Sequence, residues 1–370
     1  MKKLLSCLLS AAIILSALSG CGTEAPEESA APTASGAEYD WETGYAAYEP
    51  DTVVMRVNGE DVLWDEFFYW LYSTYANGLA GYDLSDPISG EGSMSFGQYA
   101  AMNAAGYCLE CHVISSKAEE LGVTLTDGDR EMLEAQIESD IEEYSADGTR
   151  AGLFEYLAGL FVTERVYEFI NSGMLLQNRL MTFLYGEDGS ALSDEDVALT
   201  AEQYGFMTVK HILLSTTDDS GEALGQAAAS AKREQAEALL SELEAAPEDG
   251  REALFDEMMA EYSEDPGLAN FPDGYCFTEG TMVTEFEDAA RALEPGGISG
   301  IVESSNGYHI LLRESLSPDD MVLLSTGDSY TLRYTCAVLR FNADYSDWVE
   351  SASVEYAGGF ESFDAASLFE

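Results

Sequence analysis

Only three histidines occur in this 370-residue chain, and two of them head identical tetrapeptides, His211-Ile212-Leu213-Leu214 and His309-Ile310-Leu311-Leu312, which lie 98 positions apart. A strand alternates its side chains between two faces. Val209, His211 and Leu213 therefore share one face of the first run, and Gly307, His309 and Leu311 one face of the second. An imidazole set in an apolar strand needs a hydrogen-bond partner. A second imidazole on a neighbouring strand can be that partner, and such a pairing is the best clue to function in the chain. The same two histidines also read as satisfied core residues that merely hold a sheet together.

A second group with chemical potential is Cys108-Leu109-Glu110-Cys111-His112, the attachment pattern for a c-type haem. Against it, Ala104, Cys108, Cys111, Ile114, Ala118 and Leu121 recur at helical spacing up to Gly122, a C-terminal stop. That stripe makes both cysteines small core residues of one helix face. The remaining acids show no EF-hand spacing: Asp127-Gly128-Asp129 lacks the rest of the loop. No metal or other cofactor is expected.

The elements that must carry these residues follow from periodicity. Val53–Val57 and Asp61–Leu63 flank Asn58-Gly59, a hairpin signal. An amphipathic helix through Trp64, Phe67, Phe68, Leu71 and Tyr75 comes next, and further helical patterns cover 97–121, 129–144, 151–161 and 164–184. From Met207 the pattern becomes mixed. It runs through a strand at 207–214, helices around Leu239 and Met258, a strand region at Tyr275 and Phe277, a helix through Phe286 and Ala290, and strands near 298–302 and 307–313. Beyond Pro318, Thr331, Tyr334, Val338, Phe341, Tyr345 and Trp348 keep helical spacing with no core of their own, so this helix is expected to return to the N-terminal helical part.

The formal charge of −53, from 69 acidic against 16 basic residues, repels nucleic-acid phosphates and anionic headgroups and favours cationic clients. No nucleic-acid partner is expected. At the other extreme of polarity, Lys2 and Lys3 precede the apolar run Leu4–Leu18, which ends at Ser19-Gly20-Cys21. A charged start, a short apolar core and small residues describe a signal peptide, not a span. Cys21 directly after Gly20 resembles the acceptor of a bacterial lipoprotein signal. That resemblance implies lipidation of Cys21 and a membrane-anchored, extracytoplasmic protein. Residues 22–50, rich in Ala, Glu, Ser, Thr and Pro, read as a flexible tether.

The 207–316 block resembles the parvulin family of peptidyl-prolyl isomerases. The matching pieces, in family order, begin with Val209-Lys210-His211-Ile212-Leu213 and Tyr262-Ser263-Glu264-Asp265-Pro266-Gly267. They continue with Gly280–Ala290, Gly296-Gly297-Ile298-Ser299 and Asn306-Gly307-Tyr308-His309-Ile310. The whole chain looks like a PrsA- or SurA-type foldase. That likeness implies an α+β fold in which a mainly helical chaperone domain holds an inserted parvulin-like domain. The expected boundaries are 1–20 for the signal, 21–51 for the tether, 52–205 for the helical domain, 206–316 for the parvulin-like domain, and 317–370 for the helix and tail packing back on the helical domain.

By the same resemblance, Met282 and Phe286 form a proline-ring pocket with help from Phe277, His211 and His309 form the hydrogen-bonded pair, and Asp265 acts on the reacting amide. Ser304 and Asn306 complete the polar network. Taken alone, Met282 and Phe286 also fit a core stripe, and Asp265 a turn. The chain departs from the family at Phe271–Phe277, where a leucine wall is replaced by Tyr275 or Phe277. It departs again at Ser215-Thr216-Thr217-Asp218-Asp219, where phosphate-directed members carry basic residues. The expected partners are unfolded exported polypeptides with X-Pro bonds. The competing functions are a holdase without turnover, the haem lipoprotein, and a solute-binding lipoprotein, for which no two-lobed α/β repeat is found.

Overall fold

A computed structural model describes residues 36–89, 92–218, 220–324 and 329–370. The signal peptide expected at 1–20 and the lipidation expected at Cys21 lie outside the described residues. The chain divides into two units, one made of residues up to Leu184 together with Phe341–Glu370, the other of Tyr185–Arg340.

In the first unit, Asn58 and Gly59 take φ of +51° and +88°. Two adjacent positive φ values are what a two-residue hairpin turn requires, and they join β1 (Val53–Val57) to β2 (Glu60–Leu63) in antiparallel register. The helix Trp64–Thr74 follows at once and buries Trp64, Phe67, Phe68 and Leu71. The helix Phe96–Leu121 starts on a capping box formed by Ser95 and Gln98 and ends on Gly122 at φ +68°. Helices Asp127–Tyr144, Arg150–Ala158 and Glu164–Tyr185 complete the run.

The stretch expected to be tether is ordered from well before residue 52. Asp40 caps the helix Trp41–Tyr45, and Trp41 is buried with its ring centroid 4.8 Å from that of Tyr75 and 5.1 Å from that of Phe369. The physical reason is aromatic burial, which outweighs the polar composition around it.

The second unit is built on a six-stranded sheet of order β5-β6-β3-β4-β7-β8. Its members are β3 (Met207–Ser215), β4 (Tyr275–Phe277), β5 (Val302–Ser304), β6 (Gly307–Glu314), β7 (Met321–Leu323) and β8 (Ser329–Thr331). The expected strand near 298–302 begins only at Val302, preceded by a single bridge from Ile298 to Leu312.

Antiparallel pairing of β3 with β6 sets His211 opposite Leu311 and Leu213 opposite His309. Ile212, Leu214, Tyr308, Ile310 and Leu312 face helices Gln226–Ala245 and Glu248–Tyr262. Val209 and Leu311 face the other way, toward Phe277, Phe286 and the helix Thr284–Arg291. A period of two thus assigns both histidines to the face that carries the shorter helix.

The unit extends past both expected boundaries, 206 and 316. The helix Asp194–Gln203, with its Ser193–Asp196 capping box, precedes β3. At the other end β7 adds to the sheet beside β4, pairing Val322 with Cys276, and Thr208 Oγ1 donates to Asp320 Oδ2 at 2.6 Å. The helix Leu332–Ser351 was expected to belong wholly to the helical domain, but only the part from Phe341 does. Its first half stays with the second unit, where Arg340 Nη1 pairs with Asp196 at 3.1 Å and Cys336 and Ala337 are buried. β9 (Val354–Tyr356) then pairs with β1 in the first unit. Among the described residues, no helix is long and apolar enough to cross a membrane, and no group of three or more His, Cys, Asp and Glu is arranged to hold a metal ion.

Candidate active site

His211 and His309 do meet. Their Nδ1 atoms are 3.1 Å apart and their rings nearly parallel, at an interplanar angle of 12°. His211 Nε2 lies 3.1 Å from Asp265 Oδ2, and His309 Nε2 lies 2.7 Å from Ser304 Oγ. The hydrogen-bond roles follow from these partners. An ionised carboxylate only accepts, so His211 donates from Nε2, and a neutral His211 then accepts at Nδ1. His309 must donate from its own Nδ1, and its Nε2 accepts from the Ser304 hydroxyl. Ser304 Oγ in turn accepts the Asn306 N–H at 3.1 Å. One directional chain of hydrogen bonds runs from Asp265 through both imidazoles to the β5–β6 turn.

That turn needs Gly307, because a Cβ there would collide with the Leu214 carbonyl oxygen of β3 and φ is +145°.

Burial opposes ionisation of Asp265, yet hydrogen bonds from His211 and Tyr275, the nearby His211 and the Gly267 N–H outweigh it and hold the carboxyl down at about 2. Burial, and after it the proximity of His211, pushes the His309 imidazole down to about 4 against the pull of Asp265. His309 is 2 % exposed and is neutral at neutral pH.

The row borders a cavity of about 960 Å³. Met282, Val283, Phe286 and Leu323 give it an apolar side, while Asp265, His211, His309 and Asn306 give it a polar one. Phe286 stands nearly perpendicular to both imidazoles, at ring-centroid distances of 5.1 and 5.6 Å.

Of the eight expected site residues in the described part, six reach this row or line the cavity directly: His211, His309, Asp265, Met282, Phe286 and Asn306. Ser304 reaches it through His309. Phe277 does not line the cavity. It is fully buried behind Phe286, its centroid 5.9 Å away. Both residues lie on the same face of β4, but Tyr275 pairs with Val209, beside His211, whereas Phe277 pairs with Met207, farther along the strand. Tyr275 therefore lines the cavity where the family's leucine was missing and donates to Asp265 Oδ2 at 2.6 Å.

Two contributors went unseen in the sequence. Glu287 is buried and accepts the N–H groups of Met282 at 2.8 Å and Gly280 at 3.1 Å, which fixes the loop presenting Met282. A glutamate in the first turn of a short helix, just after a Gly-Thr-Met loop, was the available signal. Leu323 comes from β7, beyond the expected domain end, and no local pattern announces it.

The haem pattern does not fit. Cys108 is fully buried in a helix, burial raises both the Cys108 and Cys111 thiols, and His112 is held between Glu60 and Glu66 at 3.1 and 3.2 Å.

Residues 211–315 match the rotamase family model, described as a PPIC-type PPIase domain. The foldase protein PrsA of Oceanobacillus iheyensis is 45% identical over 73 residues, which is 20% of this chain and 24% of that protein. The putative peptidyl-prolyl cis-trans isomerase dodo of Drosophila melanogaster is 42% identical over 65 residues, 18% of this chain and 39% of its own. A solved PrsA from Bacillus cereus aligns with 78% of this chain and 100% of its own at 18% identity and a TM-score of 0.32. The chain spans about a quarter of the length of the first PrsA relatives it matches, 24% and 22%. The region that carries the histidine pair, residues 211–315, belongs to the PPIC-type family of peptidyl-prolyl isomerase domains.

Proposed function

We propose that this protein is an extracytoplasmic foldase that accelerates cis/trans isomerisation of X-Pro bonds in unfolded exported polypeptides, held at the membrane by lipid on Cys21. The helical first unit would hold the client and the second would turn it over. The observation that carries the reading is the continuous hydrogen-bonded row beside a cavity with one apolar side.

An X-Pro bond interconverts over a barrier of about 18–20 kcal/mol because twisting it costs amide resonance. Lowering that barrier requires no covalent step, only a site that favours the twisted amide over either planar form. The proline ring would pack against Met282, Val283 and Phe286, which withdraws the amide from water. The neighbouring polar wall would then face the X–Pro carbonyl. Asp265, kept anionic by its partners, would act electrostatically as resonance is lost. The imidazole pair would fix its position through His211, with His309 held neutral behind it. Each 1.36 kcal/mol or so gained in the twisted state is worth about tenfold in rate.

The experiment is NMR exchange spectroscopy on an unphosphorylated Ala-Pro peptide with the full chain. The expected result is faster exchange, reduced severalfold by Met282→Ala at a site that is only partly buried. No acceleration by a folded chain would overturn turnover and leave a client-binding role. For the anchor, Cys21→Ser should move the protein out of the membrane fraction; unchanged fractionation would remove lipidation from the reading.

A further inference from the structure

One wall of the cavity carries charge that isomerisation as such does not use. Between β3 and the helix Gln226–Ala245 the chain folds back on itself. Thr217 bridges Ala223, Leu224 N–H donates to the Thr216 carbonyl at 2.7 Å, and Asp218 N–H to the Glu222 carbonyl at 2.9 Å. Asp218 lines the cavity from this loop. Its Oδ1 accepts from the Ser220 N–H at 2.9 Å, the Ser220 hydroxyl at 2.7 Å and the Glu222 N–H at 3.0 Å. Three donors on one oxygen hold the carboxylate in place and anionic.

The other charges on that wall are already engaged. Glu264 pairs with Lys232 and accepts the Ser215 N–H at 2.8 Å. Asp265 is occupied by His211 and Tyr275. Asp218 is the carboxylate on the wall whose bonds, among the described residues, come only from neutral donors of its own loop. Among the described residues, the only lysine or arginine lining the cavity, Lys232, is committed to Glu264. A chain of net charge −53 adds a field of the same sign.

We propose that Asp218 is a specificity-determining residue of the isomerase site, selecting clients with lysine or arginine beside the proline and disfavouring acidic or phosphorylated residues there. The inference rests on the isomerase reading above. With the ring against Met282 and Phe286, a residue one position away is displaced by only about 3.8 Å along the backbone. The long stem of Lys or Arg can then span the cavity to a fixed anion. A solvent-accessible pair of this kind contributes little energy, so its effect is a ratio between substrates.

The test compares three matched peptides, Lys-Pro, Ala-Pro and Glu-Pro, and a second set with the charged residue after the proline, by exchange spectroscopy with the full chain. The expected result is a Lys-to-Glu ratio of about fivefold in kcat/KM in one of the two sets. That ratio should shrink toward one in about 1 M salt, where the Debye length falls to about 3 Å. Asp218→Asn keeps an oxygen for the three loop donors, so the ratio read within the variant should collapse, and Asp218→Lys should invert it. Acceleration of all peptides at a ratio near one overturns this inference and leaves the isomerase intact. A ratio that survives Asp218→Asn or high salt also overturns it. Failure to accelerate any peptide removes the isomerase reading itself.

Discussion

His112 in the first unit and His309 in the second are buried to a similar degree, 5% and 2% exposed, yet they titrate in opposite directions. Burial opposes protonation of both. At His112 the hydrogen bonds and charges of Glu66 and Glu60, one on each ring nitrogen, outweigh it and raise the pKa. At His309 the two ring nitrogens meet another imidazole and a hydroxyl, so burial prevails and the pKa falls to about 4. The partners, and not the depth, decide the charge state. The first unit favours the protonated form of its histidine by setting it between two glutamates. The second keeps His309 neutral between another imidazole and a hydroxyl.

The contrast can be broken most forcefully at His112. Glu66 is fully buried, and its other cationic neighbour is Arg165 Nη1, 4.0 Å away. His112→Leu would leave that carboxylate poorly paired, at an expected cost of about 3–5 kcal/mol in urea denaturation. A cost below about 1 kcal/mol would mean that His112 does not neutralise Glu66, and the contrast would collapse.

Next comes pH. The depressed pKa of His309 contributes stability above its unfolded value near 6.5, and this is lost as pH falls toward 4, by about 3 kcal/mol in total. The raised pKa of His112 does the reverse: its contribution is complete below 6.5 and is lost as pH rises through the folded value. With three histidines in the chain, imidazole NMR should separate one resonance titrating above 6.5 from one near 4. A common midpoint for the two would erase the distinction.

The smallest effect is expected at Ser304→Ala, which removes the donor to His309 Nε2. About 0.5–1.5 kcal/mol of stability should be lost, while 15N shifts still report the Nδ1–H form of His309. A switch to the Nε2–H form would show that Ser304 sets the tautomer, contrary to the direction imposed from Asp265.

Much of the site was legible because its residues sit in local patterns. Two His-Ile-Leu-Leu runs imply strands with a period of two, and that period puts each histidine on a defined face. Phe286 announces itself by helical spacing with Ala289 and Ala290, whereas Met282, at the same spacing, lies in the loop before the helix Thr284–Arg291. Asp265 announces itself by its turn before Pro266-Gly267. Tyr275 and Phe277 could not be told apart, because both project from the same face of β4 and only its register against β3 sets Tyr275 opposite Val209, beside His211, and Phe277 opposite Met207. Leu323 was invisible for a related reason, since a three-residue strand has no periodicity to read and joins the sheet only by pairing with β4. Trp41 was hidden by its polar neighbours, although its partners Tyr75 and Phe369 are far along the chain.

The sequence by itself determined the longer helices and strands, the two faces of the histidine strands, the acidic surface and the excess of carboxylates over cations, because these depend on near neighbours and on composition. The tertiary structure alone decided that His211 meets His309, that Tyr275 and not Phe277 borders the cavity, that the second unit runs to Arg340, and that His112 and His309 are shifted in opposite directions. Each of these rests on groups tens to hundreds of residues apart, whose hydrogen bonds and desolvation exist only once the chain has closed around them.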